Sequence, residues 1–122
     1  MKRLIKVVRD LPWMPKPGEA RLYITDEIPP RDRCSTAFGF VFVDEQILLT
    51  RLRDRDWDIP GGAIALGETP QEAAIREVWE ETYAKVEILE PIGIQELELF
   101  RPKPKGYRWP YPISVQVYYL CR

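Results

Sequence analysis

Short apolar, β-rich runs recur along most of the chain, and only one stretch switches to the 3.6-residue period of a helix. The runs at 4–8 (LIKVV), 20–25 (ARLYIT), 35–43 (STAFGFVFV) and 46–52 (QILLTRL) predict strands, as do 86–90 (VEILE), 93–100 (GIQELELF) and 113–120 (ISVQVYYL). Asp44 and Glu45 join the third and fourth runs as a hairpin signal, and Gly39 marks a bulge or a close backbone approach. A further short strand leads through DRDWDIPGG into a Pro-Gly-Gly turn. In the 93–100 run Leu97 and Leu99 alternate with Glu96 and Glu98, as on a half-buried strand. Segments 10–19, 26–33 and 101–112 are proline-punctuated loops, and the last of them (RPKPKGYRWPYP) is basic and aromatic.

The helical stretch covers roughly 70–82. Thr69 suits the N-cap, Pro70 the first helical position, and Glu72 completes a capping box. At 100° per residue, Ala74, Ile75, Val78, Trp79 and Thr82 share an arc predicted to face the core. Glu77, Glu80 and Glu81 cluster within about 100° on roughly the other side. Pro70 and Ala73 share that carboxylate face, where small side chains would leave space, and Arg76 is placed to brace Glu80. Like charges three and four apart repel by a few tenths of a kcal/mol per pair. Such a face is either simply solvated or bears a cation, and three converging carboxylates are hard oxygen ligands suited to Mg²⁺ or Mn²⁺. The preceding Gly61-Gly62 turn, whose backbone can approach an ion or phosphate closely, favours the second reading.

Composition narrows the chemistry. A chain of 122 residues suits one domain, 1–122, with one core. The elements predict an α/β or α+β sandwich on a mixed sheet. The net charge of −1 gives no global basic field to draw the chain to nucleic acid or an anionic membrane. With no histidine, His-based triads and a histidine general base are excluded, and two cysteines without CxxC spacing offer no zinc site. Carboxylates, arginines, tyrosines and bound ions remain. Isolated cysteines, no signal-peptide core and no run near the ~18 apolar residues of a membrane helix predict a soluble, cytoplasmic protein.

The segment Gly62-x5-Glu68-x7-Arg76-Glu77-Val78-Trp79-Glu80-Glu81 resembles the Nudix box, and WDIPGG before it is also family-like. The resemblance, of MutT-like type and carried by residues 62–84, implies an α/β/α sandwich around a mixed sheet. It implies a Mg²⁺-dependent hydrolase, with Mn²⁺ as substitute, that cleaves the pyrophosphate of a nucleoside diphosphate linked to another group, nucleoside triphosphates included. On this reading Glu77, Glu80 and Arg76 are catalytic, Glu77, Glu80, Glu81 and the Gly62 carbonyl bind metal, and Glu68 is a secondary carboxylate. The partner is then a small nucleotide, with neither nucleic acid nor membrane, and a homodimer through the exposed aromatic loop fits the family.

Two positions depart from the box: Tyr83 stands where the family has glycine and Ala84 where it has a larger aliphatic residue. They bear on the helix end and remove no carboxylate. The chain also ends on a strand where Nudix domains usually continue into a helix. Glu96 and Glu98 lie where a general base could come from, but an exposed strand face explains them as well. Arg51, Arg53, Arg55, Arg101, Lys103, Lys105 and Arg108, with Tyr107 and Trp109, could touch phosphates or a base, or be solvated loop. Trp57 reads equally as core packing or a purine platform, and Trp13 carries no signal, so no substrate residue is assigned. The competing function is a non-catalytic Nudix-fold module that senses a nucleotide; the intact glutamates argue against it. Isopentenyl diphosphate isomerisation on the same fold would need histidines.

Overall fold

The computed structural model of the chain describes residues 1–52 and 56–122, so Arg53 and Arg55 lie outside the described residues. Strands β1 (Lys2–Arg9), β2 (Gly18–Thr25), β3 (Cys34–Val43), β4 (Gln46–Ile47), β5 (Thr50–Arg51), β6 (Trp57–Asp58) and β7 (Gly61–Ala63) precede helix α1 (Pro70–Thr82). Strands β8 (Ile88–Leu99) and β9 (Ile113–Cys121) follow it. The main sheet runs β1-β2-β8-β9-β3-β4, with β7 on the free side of β3, and β5 and β6 form a separate ribbon. The β3–β9 pair is parallel and its neighbours are antiparallel, which gives the mixed sheet expected from the sequence.

Two predicted runs differ. The run 46–52 divides into β4 and β5, and the expected pair of strands at 86–100 is one long strand, β8. Register shifts at Ile88/Glu90 and Pro91/Gly93 take up the proline without ending the ladder. At the β3–β4 turn Asp44 adopts φ 56, a left-handed conformation that Asp tolerates.

Alternation sorts the sheet into two faces. On one, Ala37, Val41, Val115, Val117, Tyr119 and Cys121 are buried with Ala73, Ala74 and Val78 of α1, which form the main core. Small residues bring the helix close: a Cβ on Gly39 would lie 3.0 Å from Val78 Cγ2. Of its two readings, Gly39 is therefore the close approach. On the other face no α-helix lies among the described residues. There a smaller cluster of Met14, Ala20, Leu97 and Leu99 is packed by Leu11 and Tyr107 from loops. No helix of the described residues is long and apolar enough to cross a membrane.

The helix begins as its sequence demands. Glu72 N–H donates to Thr69 Oγ1 at 3.1 Å and Thr69 N–H to Glu72 Oε1 at 2.9 Å, closing the capping box. The predicted core arc needs correction. Pro70, Ala73, Ala74 and Val78 are buried, while Ile75 and Trp79 are 39% and 43% exposed. The helix rests on its narrow alanine face, because that face fits against β3, and this leaves the larger apolar side chains outside. Glu77 and Glu81 consequently border the packed side, and the space expected over Pro70 and Ala73 is filled.

Candidate functional site

The carboxylates of α1 meet the backbone of β7. Gly61 N–H donates to Glu81 Oε1 at 2.7 Å. A Cβ on Gly62 would come within 2.7 Å of Glu77 Cδ and 2.8 Å of its Oε2, so only glycine leaves Glu77 its place. Pairing of Gly61 with Phe38 and Gly62 with Ala37 anchors this backbone to β3, and α1 packs on the same strand. Carboxylate and backbone are therefore positioned by one strand.

Arg76 organises the acidic residues. Its Nε donates to Glu68 Oε2 at 2.7 Å and its Nη2 to Glu68 Oε1 at 3.0 Å, a bidentate fork. Its Nη1 donates to Glu77 Oε1 at 2.9 Å and Glu80 Oε2 at 3.1 Å, and its Nη2 also reaches Ala63 O at 3.0 Å. The Glu68 hydrogen bonds, ahead of those of Glu77 and Glu80, hold the guanidinium above its ordinary range, against a lowering by burial. The Arg76 hydrogen bonds hold the Glu68 carboxyl below its ordinary value. Glu68 is thus the fixed counter-ion of Arg76.

Glu77 is well covered, with its side chain 17% exposed, whereas the Glu80 side chain is 54% exposed. Among the described residues no three carboxylates gather about a single point. Glu77 and Glu81 close on β7, and Glu80 stands outside them on Arg76. The convergence of Glu77, Glu80 and Glu81 expected from helical spacing is therefore corrected, because Arg76 draws Glu80 aside; their oxygens are still of the hard kind a divalent cation takes.

Glu96 and Glu98 lie elsewhere. On the helix-side face of the sheet Arg21 bonds Glu19 at 2.8 Å, Glu98 at 2.9 Å and Glu96 at 3.2 Å. Burial pulls the Arg21 guanidinium down, but these three partners outweigh it and raise it. Both glutamates are engaged in this network rather than free on a solvated strand.

The opposite face carries a groove with no sequence signal of its own. Phe38 stacks on Tyr118 with ring centroids 5.2 Å apart, and Phe40 meets Tyr118 edge-on at 5.8 Å. These rings, with Trp13, Gln95, Gln116 and Asp58, border a hollow of about 580 Å³. Gln116 Oε1 accepts from Gln95 Nε2 at 2.8 Å and from the Tyr118 hydroxyl at 3.3 Å, which leaves Gln116 Nε2 without a partner among the described residues. Burial, with the Asp58 carboxylate, pushes the Tyr118 hydroxyl up to about 12, so it stays a neutral donor. A second hollow of about 210 Å³ adjoins the first at Trp13 and Gln116, and Tyr107 and Trp109 of the basic loop line it. Thr36 Oγ1, which borders it, is buried without a hydrogen-bond partner among the described residues.

The other candidates are dispersed. Trp57 is 62% exposed, which removes core packing as its reading, and Arg51 sits over its ring at 6.0 Å. Arg108 covers Trp109 at 4.2 Å, and Arg101 reaches Lys16 O at 3.4 Å. Phe38, Gln95, Gln116 and Tyr118 carry no sequence signal because alternation marks two faces without saying which one the helix covers, and Trp13 comes from the loop before β2, where no alternation operates.

Comparison with known proteins bears on the family and the fold. The sequence profile described as NUDIX domain matches residues 33–122. A MutT-like protein of Streptomyces ambofaciens is 36% identical over 102 residues, 77% of this chain and 62% of that protein. A putative 8-oxo-dGTP diphosphatase of Bacillus subtilis is 40% identical over 72 residues, 56% of this chain and 46% of that protein. The crystal structure of the Bacillus subtilis pyrophosphohydrolase BsRppH superposes with TM-score 0.70 at 26% identity, over 96% of this chain and 65% of that one. The chain thus spans about half to two thirds of the length of these relatives.

Proposed function

The chain belongs to the NUDIX domain family, and from that premise we propose that it hydrolyses a phosphoric anhydride of a nucleotide with the help of a divalent cation, Mg²⁺ or Mn²⁺. The observation that carries the reading is the meeting of Glu77 and Glu81 with the Gly61–Gly62 backbone, where a Cβ would fill the cradle. That donor chemistry suits the ion: hard oxygens that outnumber the single Arg76 charge bracing Glu77 and Glu80. Glu77, Glu80, Glu81 and the Gly62 carbonyl would hold it, and a bound cation supplies charge neutralisation and a more acidic water.

The chain's own residues position the reaction. Arg76 and its Glu68 partner hold Glu77 against β7, so that little side-chain freedom is left to lose when substrate arrives. Water adds to a phosphorus of the anhydride, the bridging P–O bond breaks, and two phosphate products leave. The nucleobase rests in the aromatic groove: the Phe38–Tyr118 rings offer apolar faces, and the Gln95–Gln116 amides offer hydrogen bonds to its edge. The relatives include a putative 8-oxo-dGTP diphosphatase, which favours a nucleoside triphosphate as the substrate.

The test is phosphate release from nucleoside triphosphates, nucleotide sugars, ADP-ribose and dinucleoside polyphosphates with Mg²⁺ and with Mn²⁺. Glu77→Gln and Glu81→Gln should each abolish metal-dependent turnover and keep the melting temperature; full activity in either refutes the assignment. No turnover of any compound, with a nucleotide still raising the melting temperature, would make the chain a sensing module instead.

A further inference from the structure

The box residues are held by an arginine outside the box. Arg31 belongs to a 3₁₀ turn, Arg31–Arg33, on the loop before β3. Its guanidinium spans three backbone carbonyls: Nε donates to Glu68 O at 2.8 Å, Nη2 to Ala65 O at 3.1 Å and Nη1 to Cys34 O at 3.3 Å. Two of these acceptors are the ends of one tight turn. Glu68 N–H donates to Ala65 O at 3.0 Å, Ala65 N–H to Glu68 Oε1 at 2.9 Å, and Gly67 between them has φ 80. The third is the first residue of β3, the strand on which both β7 and α1 rest. The fork thus ties the turn to the platform of the site, and only the planar guanidinium serves three such acceptors at once.

The consequence passes along hydrogen bonds already described. The turn fixes the Glu68 backbone, the Glu68 carboxylate receives two bonds from Arg76, and Arg76 reaches Glu77 and Glu80. We propose that Arg31 is a positioning residue for the carboxylate face, acting through the 65–68 turn and Glu68 on the aim of Arg76 and Glu77. This rests on the metal-dependent reading above for its functional meaning, but its structural content stands without it. Loss of the fork frees the turn and lets Arg76 release Glu77, and the cradle then grips a cation less well.

Two measurements test this on the whole chain. The first needs no metal: exchange of the Arg76 Nε–H and of the amides in 64–69 should quicken in Arg31→Met and in Arg31→Lys, and stay unchanged in Arg33→Ala. The second is Mn²⁺ titration. Partners that orient ligands typically govern affinity by ten- to a hundredfold, so Arg31→Met should raise the half-saturating concentration about tenfold, and Arg31→Lys should restore little of it. Glu68→Gln should cost a similar factor. Because both act through one contact, the double variant should lose about tenfold rather than about a hundredfold. Multiplying losses, or unchanged Arg76 Nε–H exchange in the Arg31 variants, would overturn the proposal. Should Arg31→Met fail to fold, Arg31→Lys carries the same comparison. A wild-type chain that takes up no Mn²⁺ would refute the metal reading, and the exchange measurement would still decide the role of Arg31.

Discussion

Adding one methyl group at Gly61 or at Gly62 should have opposite consequences, although the two residues are adjacent. At Gly61 a Cβ would lie 2.4 Å from Ala37 O and 2.7 Å from Phe38 Cα, backbone atoms of β3 that cannot yield without parting the strands. Overpacking of this kind costs about 3 kcal/mol, which for a chain of this size lowers Tm by roughly 12 °C. At Gly62 the three nearest atoms all belong to the Glu77 carboxylate, the nearest at 2.7 Å against an ordinary contact of 3.4 Å. The side chain can give way, but it must move by the difference, 3.4 − 2.7 = 0.7 Å. Gly62→Ala should therefore stay within about 1 kcal/mol of wild type, since the added Cβ also removes some unfolded-chain entropy. A displacement near 1 Å in a reacting constellation costs about a hundredfold in rate, and metal ligands tolerate only about 0.2 Å. Thermal unfolding and Mg²⁺-dependent phosphate release, run on both variants, read the two effects separately. Gly62→Ala with activity within threefold of wild type would refute the placing of Glu77 in the cradle, and Gly61→Ala as stable as wild type would refute the packing.

Other expectations concern the helix ends and the groove. Thr69→Ala removes half of the capping box and should cost about 1 kcal/mol, a fall in Tm of roughly 4 °C, with turnover little changed. Tyr83→Gly should stabilise by about 0.5 kcal/mol, because glycine relieves roughly 1 kcal/mol of left-handed strain at φ 60 while the edge contact with Trp79 is lost; a less stable variant would show the ring contact to dominate. Tyr118 titrates near 12 in the folded chain against an ordinary 10. Its neutral form is thus favoured by folding, and that stabilisation is complete below pH 10 and lost as pH rises through 12. The stability of wild type relative to Tyr118→Phe should be flat to pH 10 and decline above it in chemical denaturation; a flat difference throughout would contradict the burial of the hydroxyl.

Local chemistry was the most legible part of the fold. Thr69, Pro70 and Glu72 set the helix start because capping depends on residues within one turn and little else. Strand β8 was misjudged because Pro91 and Gly93 are turn signals locally, while β2 and β9 on its two sides hold the segment extended. The helix end shows the same contest. Tyr83, which stands where the Nudix box has glycine, takes a left-handed conformation at φ 60 and ψ 17, and its N–H bonds Trp79 O. The left-handed turn therefore forms without the residue that makes it easy, held by the helix before it and Ala84 packed on the core after it.

Spacing names the residues of the candidate site but not their orientation. Spacing placed Glu77, Glu80 and Glu81 together, but periodicity read the bulk of Ile75 and Trp79 as the buried arc. What decides the arc is the partner surface: Gly39 and Ala37 leave room for Ala73, Ala74 and Val78, and not for an indole. Rotated so, the helix turns Glu77 and Glu81 toward β7 instead of toward open solvent. Carboxylates on the border of a core carry a desolvation cost that Arg76, itself bound to Glu68, offsets with one charge for several. Among the described residues the balance of that cluster remains acidic, since Glu68, Glu77 and Glu80 share the Arg76 guanidinium and Arg31 acts on Glu68 alone. A fold that needed only stability could have used an apolar residue at position 77; holding a surplus of negative charge against a glycine backbone makes sense where a cation completes it.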